Sequence, residues 1–149
     1  APGSRGGRGG GGRFDPGMLF YSPQIWASDN TDVFSRMSIQ QGTSLVYPLS
    51  TIGSHITEVP NHQTQRLATL KTRFLIALFG TFGLELDVRR LSSDEMAELS
   101  LYIDMFKRLA PIIIRGMFYR LWSPGSVGVI ARDAYAWMAV GEGGGDAVV

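Results

Sequence analysis

Apolar and polar positions fall along the chain in blocks, and each change of period marks an element. Met18, Leu19, Phe20 and Tyr21 form an apolar run that ends at Pro23, and Gln24-Ile25-Trp26-Ala27 reads as a short strand. Asn30 or Thr31 is placed to cap a helix carrying Val33, Phe34 and Met37 and stopping at Gly42. Leu45-Val46-Tyr47 reads as a buried strand that Pro48 ends or bends. After a polar loop over residues 58–65, residues 67–79 read as a helix closed by Gly80, and residues 81–86 as an extended segment. Ser92 and Glu95 spell a capping box ahead of Met96, Leu99, Ile103, Phe106 and Leu109. Spacings of three and four put that stripe on one helical face as core, with Pro111 just past the helix end.

The order strand, helix, strand, helix, strand, helix implies an α/β chain with parallel strands and helical crossovers, as in a barrel or a doubly wound sheet. The tail changes character. Tyr135, Trp137 and Ala139 alternate with Ala136, Met138 and Val140, and a glycine-rich turn follows over residues 141–146. A small all-β segment is expected to begin between Phe118 and Arg132.

Composition narrows the class. With 149 residues, 44% hydrophobic and 18% charged, the chain suits a folded domain with a core. It contains no cysteine, which removes disulfides and thiolate metal sites and fits a cytoplasmic location, with secretion the alternative for a short cysteine-free chain. No apolar stretch reaches the roughly 20 residues of a membrane span, so no membrane partner is expected. The chain starts with Ala and shows no signal-peptide pattern, which is read as a partial or processed sequence. Residues 1–12 are a glycine-rich tract expected to be flexible. Arg5, Arg8 and Arg13 lie in the first thirteen residues without an acid, so against a net charge of +1 the remaining chain is acidic. An arginine-glycine tract can bind RNA by phosphate contact and stacking, but three arginines without interleaved aromatics make a nucleic-acid partner unexpected.

Chemistry concentrates at Trp26-Ala27-Ser28-Asp29-Asn30-Thr31-Asp32, two carboxylates where a predicted strand turns into a helix. In a parallel β/α barrel, reacting groups sit at that end of the strands. Asp29 falls at the strand mouth, Asp32 in the first helical turn, and Trp26 offers an apolar face to a sugar ring. Read from these residues alone, an aspartate-rich turn beside a core tryptophan remains the alternative. His55 and His62 flank Glu58 without a paired-histidine spacing, so a structural or substrate-lining role is expected rather than a metal. Glu85 and Asp87 close the last predicted strand, as supporting groups or as solvated carboxylates.

Several longer runs carry a resemblance. Gly10-Gly-Gly-Arg13-Phe-Asp15-Pro-Gly-Met18, Tyr21-Ser-Pro-Gln-Ile-Trp26, Ser28-Asp-Asn-Thr-Asp32, Gln40-Gln-Gly-Thr-Ser-Leu-Val-Tyr-Pro48, Val59-Pro-Asn-His-Gln63 and Gly80-Thr-Phe-Gly-Leu-Glu-Leu-Asp87 resemble the microbial α-galactosidases of glycoside hydrolase family 36. Phe118-Tyr-Arg-Leu121 and Ala136-Trp-Met-Ala-Val140 continue the match, which spans roughly residues 9–149. The resemblance implies the C-terminal half of a (β/α)8 TIM barrel over residues 9–117, then the start of a C-terminal antiparallel β-sandwich over 118–149, with 1–8 a flexible tail. It implies retaining hydrolysis of terminal α-linked galactose from oligosaccharides of the raffinose and melibiose type, with Asp29 as general acid/base. The family's nucleophile lies in a Lys-Trp-Asp motif that is absent here, so the chain is expected to be inactive alone. The family's cysteine before the glycine run aligns with Gly7, and the matching sugar-contact glycine with Gly10; Trp26 and Gly10 are the expected substrate contacts. No cofactor and no metal are expected, since carboxyls suffice for both steps, and the parent is expected to be a homo-oligomer. An α-galactosyl transferase of the same fold and RNA binding by the arginine-glycine tract are the alternatives.

Overall fold

The computed structural model describes residues 15–124 and 134–149. A short 3-10 turn, Pro16–Phe20, leads to an extended segment at Ile25, followed by helix α1 (Val33–Thr43). Strand β1 (Gly53–Thr57), helix α2 (Leu70–Ala77), strand β2 (Thr81–Glu85) and helix α3 (Ser93–Arg115) come next. Strands β3 (Met117–Trp122), β4 (Ala136–Val140) and β5 (Ala147–Val148) complete the chain. The predicted α/β class holds, with one parallel and one antiparallel sheet.

β1 and β2 run parallel, from Gly53 opposite Thr81 to Thr57 opposite Glu85, and α2 is their crossover. Ile25 joins β1 from the other side by a parallel bridge to Ile52. The strand expected around residues 24–27 shrinks to that bridge. Pro23 has no amide hydrogen to extend the ladder on one side, and on the other the chain leaves it for the turn starting at Ser28. Helix α1 packs over β1 through Gln40, whose buried amide nitrogen lies 2.8 Å from Ser54 Oγ and 3.0 Å from the Phe79 carbonyl.

Leu45-Val46-Tyr47 is not a strand. α1 continues past Gly42 and unwinds through consecutive turns, with the Val46 and Tyr47 amides both bonded to the Thr43 carbonyl. Leu45 and Val46 are left 70% and 73% exposed, and only Tyr47 is buried. The strand comes six residues later. Ile52, Ser54 and Ile56 form its helix-facing side, all buried, while Gly53, His55 and Thr57 lie on the other. The second predicted helix is also shorter, beginning after Thr69, whose hydroxyl accepts from the Thr72 amide.

α3 has the predicted start: Ser92 Oγ accepts from the Glu95 amide at 3.2 Å, and Glu95 returns a carboxylate to the Ser92 amide at 2.9 Å. Its end differs, because Pro111 lies inside it. A proline within a helix removes one backbone bond and costs about 3 kcal/mol. Here the last turn is held by packing instead, with Ile113 1% exposed in the core and Ile112 also against it. Gly116 closes the helix where a side chain would collide with the Ile112 and Val140 carbonyls. On the predicted stripe, Leu99 is buried, Ile103, Phe106 and Leu109 pack against the core, and Met96 stays 41% exposed. None of the described helices is long and apolar enough to cross a membrane.

The antiparallel sheet has order β3-β4-β5 and opens at Met117, just ahead of the expected start. It shares the core through Trp137 and Ala139. The Phe79, Phe118 and Trp137 rings meet at centroid distances of 5.6 to 6.2 Å. Polar ties run to α1: Trp137 Nε1 donates to Gln41 Oε1 at 2.7 Å, Tyr135 and Ser38 hydroxyls pair at 2.7 Å, and Arg120 donates to Ser44.

The capping box makes a simple stability prediction. Ser92→Ala is expected to cost about 1 kcal/mol, and Ser93→Ala, which removes no cap, only a few tenths; urea-unfolding midpoints measure both.

Candidate active site

The turn at residues 28–32 is built from short side-chain bonds to its own backbone. Ser28 Oγ accepts from the Asn30 amide and Asn30 Oδ1 from the Asp32 amide, both at 3.1 Å, and Asp32 Oδ2 accepts from the Ser35 amide at 3.2 Å. Asp32, not Asn30 or Thr31, is therefore the cap of α1. Its carboxylate is 2% exposed and also accepts from Thr64 Oγ1 at 3.1 Å and Arg66 Nη1 at 3.2 Å.

The loop over residues 58–66, which contains a cis Val59–Pro60 bond, is wrapped against this turn. Asn61, buried, donates to Thr31 Oγ1 at 3.1 Å and accepts from the Gln63 and Thr64 amides at 3.0 Å. Thr57 Oγ1 donates to the Thr31 carbonyl at 3.3 Å. Asp32 and Thr31 are thus held by long-range bonds that make them structural.

Asp29 has the opposite environment. It is exposed, and its one hydrogen bond among the described residues comes from Trp26 Nε1 to Oδ1 at 3.0 Å. Two carboxylates three residues apart have been sorted, one into the frame and one to solvent at the C-terminal end of the parallel strands.

Trp26 is half-buried and has two neighbours. The Arg36 guanidinium lies 4.3 Å from the indole centroid, and the His55 ring 4.8 Å away at 43°. A desolvated cation over indole contributes about 2 kcal/mol. His55 comes this close to the sheet because its neighbour on β2 is Gly83, where any side chain would collide with the imidazole. Burial lowers the His55 pKa below its ordinary value, with Arg36 acting in the same direction and Glu85 opposing both. Arg36 is 3% exposed, and among the described residues none of its three guanidinium nitrogens has a hydrogen-bond partner. Desolvation lowers its pKa, opposed by Glu85 and Asp29.

The other residues singled out from the sequence divide. Glu85 is exposed on the same strand-end face and acts electrostatically on Arg36 and His55. Asp87 is committed locally, bonded to Arg89 at 2.8 and 2.9 Å, which holds its pKa below the usual carboxylate range. Glu58 accepts from the Asp87 amide at 3.1 Å and pairs with Arg90 at 3.4 Å. A cleft of about 230 Å³ at the ends of β1 and β2 is lined by Thr31, Thr57, Glu58, Pro60, His62 and Glu85. His55 and His62 therefore serve separate places, one against Trp26 and one in the cleft. Among the described residues, no group of three His, Cys, Asp or Glu side chains is placed to hold a metal. Gly10, like the arginine-glycine tract, lies outside the described residues. Arg36 was missed because an arginine on a helix reads as solvated; its only signal is its place one turn after the Asp32 cap.

An exposed aspartate carrying an indole N–H at the C-terminal end of parallel strands lies where β/α folds place reacting groups. Comparison with known proteins makes this specific: the melibiase family profile matches residues 4–116, and the chain belongs to that family. It is 48% identical over 141 residues to α-galactosidase AgaA of Geobacillus stearothermophilus, covering 95% of this chain and 19% of that protein. It is 47% identical over 134 residues to the bifunctional α-galactosidase/sucrose kinase AgaSK of Mediterraneibacter gnavus, covering 90% of this chain and 14% of that protein. The chain thus spans less than a fifth of the length of these curated relatives. A crystal structure of a variant of the Geobacillus enzyme, a glycoside hydrolase family 36 α-galactosidase, in complex with 1-deoxygalactonojirimycin superposes with a TM-score of 0.79 at 48% identity, covering 90% of this chain and 18% of that one. A variant of that enzyme in complex with raffinose gives the same TM-score, 0.79, at 48% identity and the same coverage, 90% and 18%. The α-galactosidase of Lactobacillus brevis gives 0.80 at 37% identity, covering 87% and 17%.

Two outcomes test the sorting of groups. Asp32→Ala is expected to cost about 3 kcal/mol, since it removes a cap and leaves buried donors unpaired, whereas Asp29→Ala stays within about 0.5 kcal/mol; urea unfolding measures both. His55, with its folded pKa below the unfolded value of about 6.5, favours folding in its neutral form. Stability is therefore expected to be full above about pH 6.5 and to fall as pH drops from there through the lower folded value. Melting temperature against pH should lose that part of its slope in His55→Asn.

Proposed function

We propose that this chain is the C-terminal half of the (β/α)8 catalytic barrel of a retaining α-galactosidase, running into the start of an antiparallel β-sandwich. In this reading residues 9–117 belong to the barrel, 118–149 to the β-domain and 1–8 to a tail. The parallel bridge from Ile25 to β1, the parallel pairing of β1 with β2 and the helices between them support the first part. The antiparallel sheet from Met117 onward supports the second.

Asp29 is proposed as the general acid/base, and the observation that carries this is its separation from the frame. Asp32 is buried among four donors, while Asp29 faces solvent with Trp26 as its one partner among the described residues. Retaining glycosidases need two carboxyls about 5–5.5 Å apart, one attacking the anomeric carbon and the other protonating the leaving oxygen and then activating water. Asp29 supplies the second function, and the nucleophile comes from a part of the longer protein outside this chain. The substrate class is terminal α-linked galactose on oligosaccharides such as raffinose, with Trp26 and Gly10 helping to shape the sugar site and no cofactor required.

The test uses the full-length protein and its Asp29→Asn variant. Loss of general acid/base catalysis is expected to lower kcat/KM on raffinose by about 10²–10⁴-fold. The isolated chain is expected to release no galactose, and turnover by it would falsify the incomplete-site reading. Product analysis showing mainly sugar-to-sugar transfer would replace hydrolysis by a transferase.

A further inference from the structure

The least explained group in the structure is the guanidinium of Arg36. It is 3% exposed, it carries five N–H donors, and among the described residues no hydrogen bond reaches any of its nitrogens. A buried charge is ordinarily paired, because leaving it bare forfeits its hydration without compensation. Glu85 and Asp29 stabilise the cation from a distance, but neither is bonded to it. What Arg36 does contact is the face of Trp26, 4.3 Å from the ring centroid.

That contact has a direction. The indole it covers donates from Nε1 to Asp29 Oδ1 at 3.0 Å, and this is the carboxylate's one hydrogen bond among the described residues. Asp29 is exposed, so packing does not orient it; Trp26 does. The indole in turn is held by Arg36 on α1 and by His55 on β1. Arg36 lies one turn after Asp32, whose carboxylate anchors that end of the helix, so the guanidinium is presented from a fixed frame.

We propose that Arg36 is a positioning residue for the acid/base: its buried guanidinium, laid on Trp26, fixes the indole that aims the Asp29 carboxylate. The proposal rests on the reading of Asp29 as the acid/base. A planar, weakly hydrated guanidinium suits this place better than an ammonium, which stacks poorly and holds its water. A carboxyl that must deliver a proton to a leaving oxygen needs an aimed lone pair and O–H, and displacement by about 1 Å lowers rate by around 10²-fold.

The experiment uses the full-length protein and two substrates that differ in their need for a proton. The sugar released from raffinose departs as an alkoxide unless its oxygen is protonated, whereas the leaving group of a dinitrophenyl α-galactoside departs unaided. Arg36→Met, Arg36→Lys and Trp26→Phe are compared with Asp29→Asn by kcat/KM on both, with folding followed by circular dichroism. Arg36→Met and Trp26→Phe are expected to lose about 10–100-fold on raffinose and several-fold less on the dinitrophenyl substrate. Arg36→Lys is expected to fall between them and the parent, and added azide should speed turnover of the activated substrate by relieving the need for the base. Equal losses on both substrates in a folded variant, or no loss on raffinose, would overturn the proposal. Should Arg36→Met not fold, Arg36→Lys decides by the same comparison of the two substrates. If Asp29→Asn itself shows no difference between substrates, the acid/base reading fails; if only the Arg36 and Trp26 variants lack it, positioning alone fails.

Discussion

The structure depends on a carboxylate that cannot be left unpaired. Asp32 is buried at the head of α1, and its desolvation is compensated by the Ser35 amide and hydroxyl, Thr64 and Arg66. The last two come from more than thirty residues downstream, so satisfying one side chain draws the loop over residues 58–66 onto the turn over residues 28–32. Once that loop is in place, Asn61 and Thr57 saturate Thr31, and the end of β1 is brought level with the mouth of the Ile25 segment.

Around that anchor the turn divides its work by position. Ser28, Asn30 and Asp32 each accept from a backbone amide two or three residues on, which lets the chain pass from ladder to helix without orphaned donors. Asp29 lies between them and is excluded from this scheme, so its oxygens stay available. Environment, not residue type, separates the two aspartates: one surrounded by donors in a buried corner, one carrying a single indole N–H at the surface.

Local interactions were the legible part. The α3 capping box needs only residues 92 and 95, and the alternation over residues 136–140 appears directly as β4. The cap of α1 was not legible, since Asn30, Thr31 and Asp32 are all competent and the choice is made by Thr64 and Arg66. β1 escaped notice because the side away from the helices carries Gly53, His55 and Thr57, while Leu45-Val46-Tyr47 mimicked a strand with residues that are mostly exposed. Pro111 was overruled by the burial of Ile113. For the candidate site, the two carboxylates and Trp26 were visible as a cluster, and Asp29 was singled out by family resemblance. The indole bond and the buried Arg36 depend on contacts across the fold that no local spacing announces.

Helix α1 is gripped at both ends. Its first turn is tied to the loop over residues 58–66, and its last two turns are tied to the antiparallel sheet through Ser38, Gln41 and Ser44. In mechanical terms it is a strut rather than a cover. The antiparallel sheet cannot swing away from the strands as a rigid flap without pulling axially on the segment that ends in Asp29. Load applied at the C-terminal β-strands is therefore passed along α1 to the turn over residues 28–32.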